Sequence, residues 1–142
     1  MIQRKQTLFL LAVAVIAISM FFVPLFNYNG DTHSGTFNLI NSEGVSNVYY
    51  PIIINIIVLI LSIGLIFFYK NRVLQYKLST LLALFNVFIT GLLFILPFQA
   101  ILTEIEVTFW AFLPIISAIF AFLAGHFIKK DEQLVRSADR IR

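Results

Sequence analysis

Apolar residues crowd into four long runs, and polar residues collect in the gaps between them. The runs are Leu8–Phe26, Pro51–Tyr69, Leu78–Phe98 and Val107–Ile128, each roughly 20 residues long, the length that spans a bilayer as a helix. At ~1.5 Å rise per residue, each run reaches about 30 Å, the thickness of a hydrocarbon core. None of the four contains Asp, Glu, Lys or Arg. A single such charge at mid-bilayer costs about 2.5–3.5 kcal/mol on insertion scales. The pattern predicts an all-α membrane protein: one domain over residues 1–142, a four-transmembrane-helix bundle, and a tail over 129–142. The first run reads as a retained helix and not a cleaved signal. Its apolar core exceeds the usual ~7–15 residues, and Val23-Pro24-Leu25-Phe26 lacks small residues at the cleavage spacing.

Composition narrows the class. The chain is 60% hydrophobic and 12% charged, about half the charge that a soluble domain carries. A water-soluble globular protein is thereby excluded. There is no cysteine, which removes disulfides, thiolate metal sites and redox thiol pairs together. The net charge of +3 does not indicate nucleic acid, because the basic residues sit in short clusters and not along one polar face.

Those clusters orient the chain. All ten Lys and Arg residues fall in the N-terminus (Arg4, Lys5), the second loop (Lys70, Arg72, Lys77) or the tail (Lys129, Lys130, Arg136, Arg140, Arg142). The first and third loops, 27–50 and 99–106, hold Asp31, Glu43, Glu104 and Glu106 and no basic residue. The positive-inside rule then predicts both termini in the cytoplasm. Tyr28, Tyr49, Tyr50, Phe109 and Trp110 flank the outer boundary, and Phe67, Phe68, Tyr69 and Tyr76 the inner one, as an aromatic belt requires. Pro24, Pro51, Pro97 and Pro114 all lie toward the outer ends, where a missing backbone hydrogen bond is least costly.

Polar residues inside the runs are the candidate sites. Asn86, with Thr90 one turn on, lies near the middle of the third run, and Asn55 and Ser62 lie in the second. A mid-membrane Asn needs a partner, and an interhelical hydrogen bond worth ~0.6–2 kcal/mol is the expected one. The competing reading is a solute contact. Ser117, Ala121 and Gly125 recur every four residues in the fourth run. This small-residue stripe predicts close helix packing, or alternatively the face of a homo-oligomer. His126 lies one turn from Lys129, but no intramembrane carboxylate is present to complete a proton relay. Asp31 and His33 are two ligands without a third, which makes a poor metal site. No metal, cofactor or catalytic residue is predicted.

Short β segments are expected around Thr36–Ile40 and Val45–Tyr50, as a small hairpin in the outer loop. The tail places Leu134, Ala138 and Ile141 on one helical face, with Glu132 and Arg136 paired across one turn. It predicts a short amphipathic helix whose basic residues Lys129, Lys130, Arg136, Arg140 and Arg142 meet either the anionic inner leaflet or a cytoplasmic protein. The two halves of the chain also look alike. Leu10-Leu11-Ala12 matches Leu81-Leu82-Ala83, and Pro51-Ile52-Ile53 matches Pro114-Ile115-Ile116. Composition alone also produces such likeness between apolar helices.

Three strings are more specific: Met1-Ile2-Gln3-Arg4 with Gln6-Thr7, Tyr69-Lys70-Asn71-Arg72-Val73-Leu74-Gln75, and Asp131-Glu132-Gln133-Leu134-Val135-Arg136-Ser137-Ala138-Asp139-Arg140-Ile141-Arg142. With their order and spacing, they resemble a domain-of-unknown-function family of four-helix membrane proteins found in Bacteroidota. The resemblance implies a bacterial inner-membrane location and no activity. The reading is therefore a non-enzymatic structural or accessory membrane subunit, embedded in lipid, with a protein partner at the cytoplasmic face. The alternative is a small transporter or lipid-handling protein with a cavity near Asn86. A lipid-directed enzyme using Glu104 and Glu106 ranks last.

Overall fold

The computed structural model of the chain describes residues 3–29, 34–40, 49–68, 71–99 and 104–139. The order is α1 (Gln3–Ser19), β1 (Phe26–Asn29), β2 (Ser34–Phe37), α2 (Tyr49–Phe67), α3 (Arg72–Gln99), β3 (Glu104–Val107), a 3-10 turn (Phe109–Phe112) and α4 (Leu113–Asp139). Each helix packs on the next, and α4 returns to α1, which closes a four-membered ring. Three stretches are long and apolar enough to cross a membrane: Tyr49–Phe67, Arg72–Ile95 and Phe109–Val135. The fourth, Lys5–Ser19, is a shorter apolar helix.

The helices meet along a seam with a step of three and four residues. Its buried positions are Gln6, Leu10, Val13 and Ala17 in α1, continuing to Met20, and Pro51, Asn55, Val58, Ser62 and Leu65 in α2. In α3 they are Gln75, Ser79, Leu82, Asn86, Ile89 and Leu93, and in α4 Pro114, Ser117, Ala121, Ala124 and Ile128. This is the alternation of helices that interlock side by side. Gln6 and Gln75 hold corresponding seam positions in α1 and α3, as do Pro51 and Pro114 in α2 and α4.

The seam admits polar side chains while the exterior is apolar, unlike the surface of a soluble bundle. Asn55, Ser62, Ser79 and Asn86 are buried, whereas Phe22, Ile60 and Phe122 are 69%, 64% and 62% exposed. An apolar exterior this extensive fits a lipid surrounding and not water.

A three-stranded antiparallel sheet, in the order β2-β1-β3, sits where α1 and α3 end. Phe26 lies opposite both Phe37 and Val107, and Tyr28 opposite both Gly35 and Ile105. The Phe26 and Phe37 rings stack at 4.2 Å and join the same core as Leu25, Met20 and Leu93. A Cβ on Gly35 would lie 2.8 Å from the Tyr28 hydroxyl, so the glycine makes room for that ring. The other face carries Asn27, Thr36 and Glu106 outward, as the period-two alternation of strands requires.

The helix ends depart from the apolar runs, each for a local reason. The first run is helical only to Ser19, and Phe26 already lies in β1. Turns carry the chain on to Val23. Pro24 then supplies no N–H and pushes Val23 out of the helical region. β2 lies earlier than the segment expected at Thr36–Ile40, and its partner is Phe26–Asn29. Of the other expected segment, residues 45–48 lie outside the described residues, and Tyr49 and Tyr50 open α2. Pro51 and Pro114 both fall in a first helical turn, where an N–H would have no intrahelical partner. Val107 closes β3, so the fourth helix starts at Leu113. α3 begins six residues before its apolar run, at Arg72, after Asn71 caps it by accepting from the Leu74 N–H at 3.2 Å. The tail is not a separate helix, because α4 runs unbroken through Lys129 and Lys130 to Asp139.

Phe37→Ala is expected to cost about 3 kcal/mol, the lower end for losing a buried aromatic ring. Thr36→Ala, on the exposed face of the same strand, is expected to change stability by less than about 0.5 kcal/mol. Chemical unfolding of both variants in mild detergent checks the difference.

Candidate functional site

Among the described residues, a side-chain hydrogen bond crosses each of the four helix interfaces. Between α1 and α2, Asn55 Nδ2 donates to the Ala17 carbonyl at 2.9 Å. Between α2 and α3, Gln75 Nε2 donates to the Leu65 carbonyl at 2.9 Å. Between α3 and α4, Ser79 Oγ donates to the Ala121 carbonyl at 2.8 Å. Between α4 and α1, Gln6 Nε2 donates to Asp131 Oδ2. Such bonds contribute ~0.6–2 kcal/mol each in apolar surroundings, and their geometry fixes how the helices slide against one another.

The other polar residues of the runs turn inward differently. Asn86 is buried, and its Nδ2 donates to the Leu82 carbonyl one turn back in its own helix, at 2.8 Å. Thr90 Oγ1 donates to the Asn86 carbonyl at 3.0 Å. Ser62 likewise bonds within α2, to Leu59. Two buried polar atoms in the seam, Asn55 Oδ1 and Ser117 Oγ, have no hydrogen-bond partner.

The stripe Ser117, Ala121, Gly125 is buried, and its Ala121 and Gly125 positions lie against α3. A Cβ on Gly125 would lie 3.5 Å from Ser79 Cβ, an ordinary contact. The glycine is therefore not required for the approach of the two helices.

Charge divides between the two ends. The sheet end carries Glu104 and Glu106 on β3, opposite Asn29 and Asn27 of β1. Glu106 is exposed. The opposite end carries Lys5, Arg72, Lys77, Lys129 and Lys130, with Asp131 and Glu132 beside them. Lys129 Nζ sits 5.5 Å from the centre of the Tyr76 ring, a cation–π contact that joins α4 to α3. His126 is exposed and lies edge-on to Phe127 at 6.0 Å. Beyond Ile128, α4 continues past Leu134 and Val135, which are 53% and 45% exposed. The backbone of Arg136 lies in this helix. Arg140 and Arg142 lie outside the described residues, as do Asp31 and His33. Among the described residues, no group of three His, Cys, Asp or Glu side chains is placed to hold a metal ion.

The residues that the composition left unremarked are Gln6, Gln75, Ser79 and Asp131. Their signal was spacing: Gln75, Ser79, Leu82 and Asn86 follow the same four-three-four step as the buried apolar positions.

Ser79→Ala is expected to lower stability by ~1 kcal/mol, the worth of an interhelical bond in apolar surroundings. Gly125→Ala is expected to be neutral or stabilising, because the added methyl meets ordinary contacts and improves helix propensity. Thermal unfolding of the two variants in detergent separates a bonded seam from one that depends on a small-residue approach.

A comparison with the curated proteins gives no match. Residues 2–141, nearly the whole chain, match the family model described as a domain of unknown function, DUF4293, and the chain belongs to that family.

Proposed function

We propose that the chain is a non-catalytic accessory subunit of the bacterial inner membrane, crossing it four times, with a partner protein held by the cytoplasmic extension of α4. The observation that carries this is the continuity of α4. From Ile128 to Asp139 the helix runs on for about 16 Å at ~1.5 Å per residue. A helix that leaves the bilayer without a break rises away from the leaflet. Lying on the surface would need a kink, and kinks come from Pro, Gly or a π-bulge. Residues 129–139 contain neither Pro nor Gly. The extension therefore presents Leu134 and Val135 away from the lipid, as a partner-binding helix does.

Orientation rests on the basic residues, all of which in the sequence lie toward the end where α1 begins and α4 ends and none near the sheet, although Asp131, Glu132 and Asp139 accompany them. The four crossings rest on the outward Leu, Ile and Phe side chains of every helix, α1 included, where Leu8, Leu11 and Val15 are exposed. The inner-membrane location rests on the family resemblance. A solute cavity at Asn86 is the weaker reading, because the Asn86 amide already bonds within its own helix.

The cysteine-free sequence makes the test direct. Glu106→Cys is expected to react with an impermeant maleimide on intact spheroplasts, and Lys77→Cys only after lysis. Purification from the native membrane is expected to bring down a stoichiometric partner, which is lost when the chain is cut after Lys130 although the bundle still inserts. Labelling of Lys77→Cys in intact spheroplasts contradicts the orientation. A partner retained by the truncated chain, or none at all, contradicts the role given to α4.

A further inference from the structure

Contacts at the basic end fix how α3 and α4 lie against each other. Ser79 Oγ donates to the Ala121 carbonyl. A Cβ on Gly125 would lie 3.7 Å from Thr80 Oγ1. Lys129 Nζ sits 5.5 Å from the centre of the Tyr76 ring. The two helices are therefore antiparallel, with Tyr76 and Lys129 at one level. Lys77 follows Tyr76 directly, so its Cα lies within ~1.5 Å of that level along the helix. His126 and Lys130 lie within one turn of Lys129 on α4. Lys77, His126, Lys129 and Lys130 are all exposed.

This flank carries a surplus of positive charge. The Tyr76 ring holds the Lys129 ammonium without neutralising it. Asp131 is turned away to the other flank of α4, where it accepts from Gln6 of α1. Glu132 lies one turn beyond Lys129, and the three lysines outnumber it. His126 adds an N–H donor in either protonation state.

Toward the sheet the same two helix faces become apolar. On α3 the step Lys77, Thr80, Leu84, Val87 follows one face, and on α4 the step Lys129, His126, Phe122, Ile119 follows another. Leu84, Val87, Phe122 and Ile119 are all exposed. Cations at one level with apolar side chains directly above match the profile of one lipid leaflet, headgroup and then hydrocarbon. An acidic protein segment would meet the lysines and leave the apolar run uncovered. A zwitterionic lipid brings its own cation, which the lysines repel.

We infer that the α3–α4 flank at the basic end is a binding site for an anionic phospholipid. Its phosphate lies against Lys77, Lys129 and the His126 N–H, and an acyl chain lies along Leu84, Val87, Phe122 and Ile119. The inference rests on the membrane reading above, and is independent of any partner at the α4 extension.

The test uses the full chain in nanodiscs holding equal amounts of phosphatidylglycerol and phosphatidylcholine with the same acyl chains. After release into mild detergent, native mass spectrometry counts the lipid that stays bound. The chain is expected to keep phosphatidylglycerol in preference to phosphatidylcholine. Lys129→Gln and Lys77→Gln are each expected to lower that preference about fivefold, the worth of one cation near the lipid surface. Lys5→Gln removes the same charge from α1, on the other side of α4, and is expected to leave the preference unchanged. Equal retention of the two lipids by the parent chain overturns the site. A loss with Lys5→Gln as large as with Lys129→Gln also overturns it, because the attraction then belongs to the whole basic end. If Lys129→Gln does not fold, Lys77→Gln against Lys5→Gln decides. A chain that does not enter the nanodisc overturns the membrane reading itself, and the site with it.

Discussion

Helices whose outer faces are Leu, Ile and Phe gain nothing from hiding those faces from an apolar surrounding. What holds them in one arrangement is then a set of close contacts and a few directional bonds. Here such a bond crosses each of the four interfaces of the ring: Asn55 to Ala17, Gln75 to Leu65, Ser79 to Ala121, and Gln6 to Asp131. Three of the four end on a backbone carbonyl or start from a short side chain. Such bonds tolerate little sliding, because an acceptor one turn away is ~5.4 Å distant. The seam register follows from this set.

The sheet is the second constraint, and it acts at one end. β1 follows α1 and β3 precedes α4, so their pairing ties the first hairpin to the second across most of the sequence. Stacked Phe26 and Phe37 carry the helical core into the sheet. The opposite end has no sheet among the described residues, and is joined by the Gln6–Asp131 bond and the Lys129–Tyr76 contact. From there α4 alone continues outward. One end thus carries the sheet and no basic residue among those described, and the other carries the basic residues and the extension of α4.

Much of the fold is legible in the chain, and the illegible parts have physical causes. Four helices appear where four apolar runs stand, because runs of that length and composition have few other stable forms in lipid. Their ends were less legible. α1 ends at Ser19, and the apolar residues continue through a turn and past Pro24 into a strand. The β1–β3 pairing joins Phe26 to Val107, and no local pattern reports a contact that distant. The seam was hidden for another reason. Both faces of each helix are apolar, so hydrophobic periodicity is weak. The informative pattern is the polar one: Asn55 and Ser62 are seven apart, as are Ser79 and Asn86. Of the candidate residues, Asn55 donates across to another helix, whereas Asn86 and Thr90 donate within α3. Composition does not distinguish these cases, since the difference lies in which way each amide is turned.

The central claim is the register that the cross-helix bonds set inside an apolar-faced ring. Paired cysteines introduced into this cysteine-free chain, in its native membrane, measure it directly. Leu82 of α3 lies only three residues, ~4.5 Å, from Ser79, which bonds to Ala121 of α4, whereas Ile128 lies seven residues, ~10 Å, further along α4 in the opposite direction. The account predicts a rapid disulfide between Leu82→Cys and Ala121→Cys, and none between Leu82→Cys and Ile128→Cys. A crosslink that forms only in the second pair would contradict the register, and with it the bonds that set it.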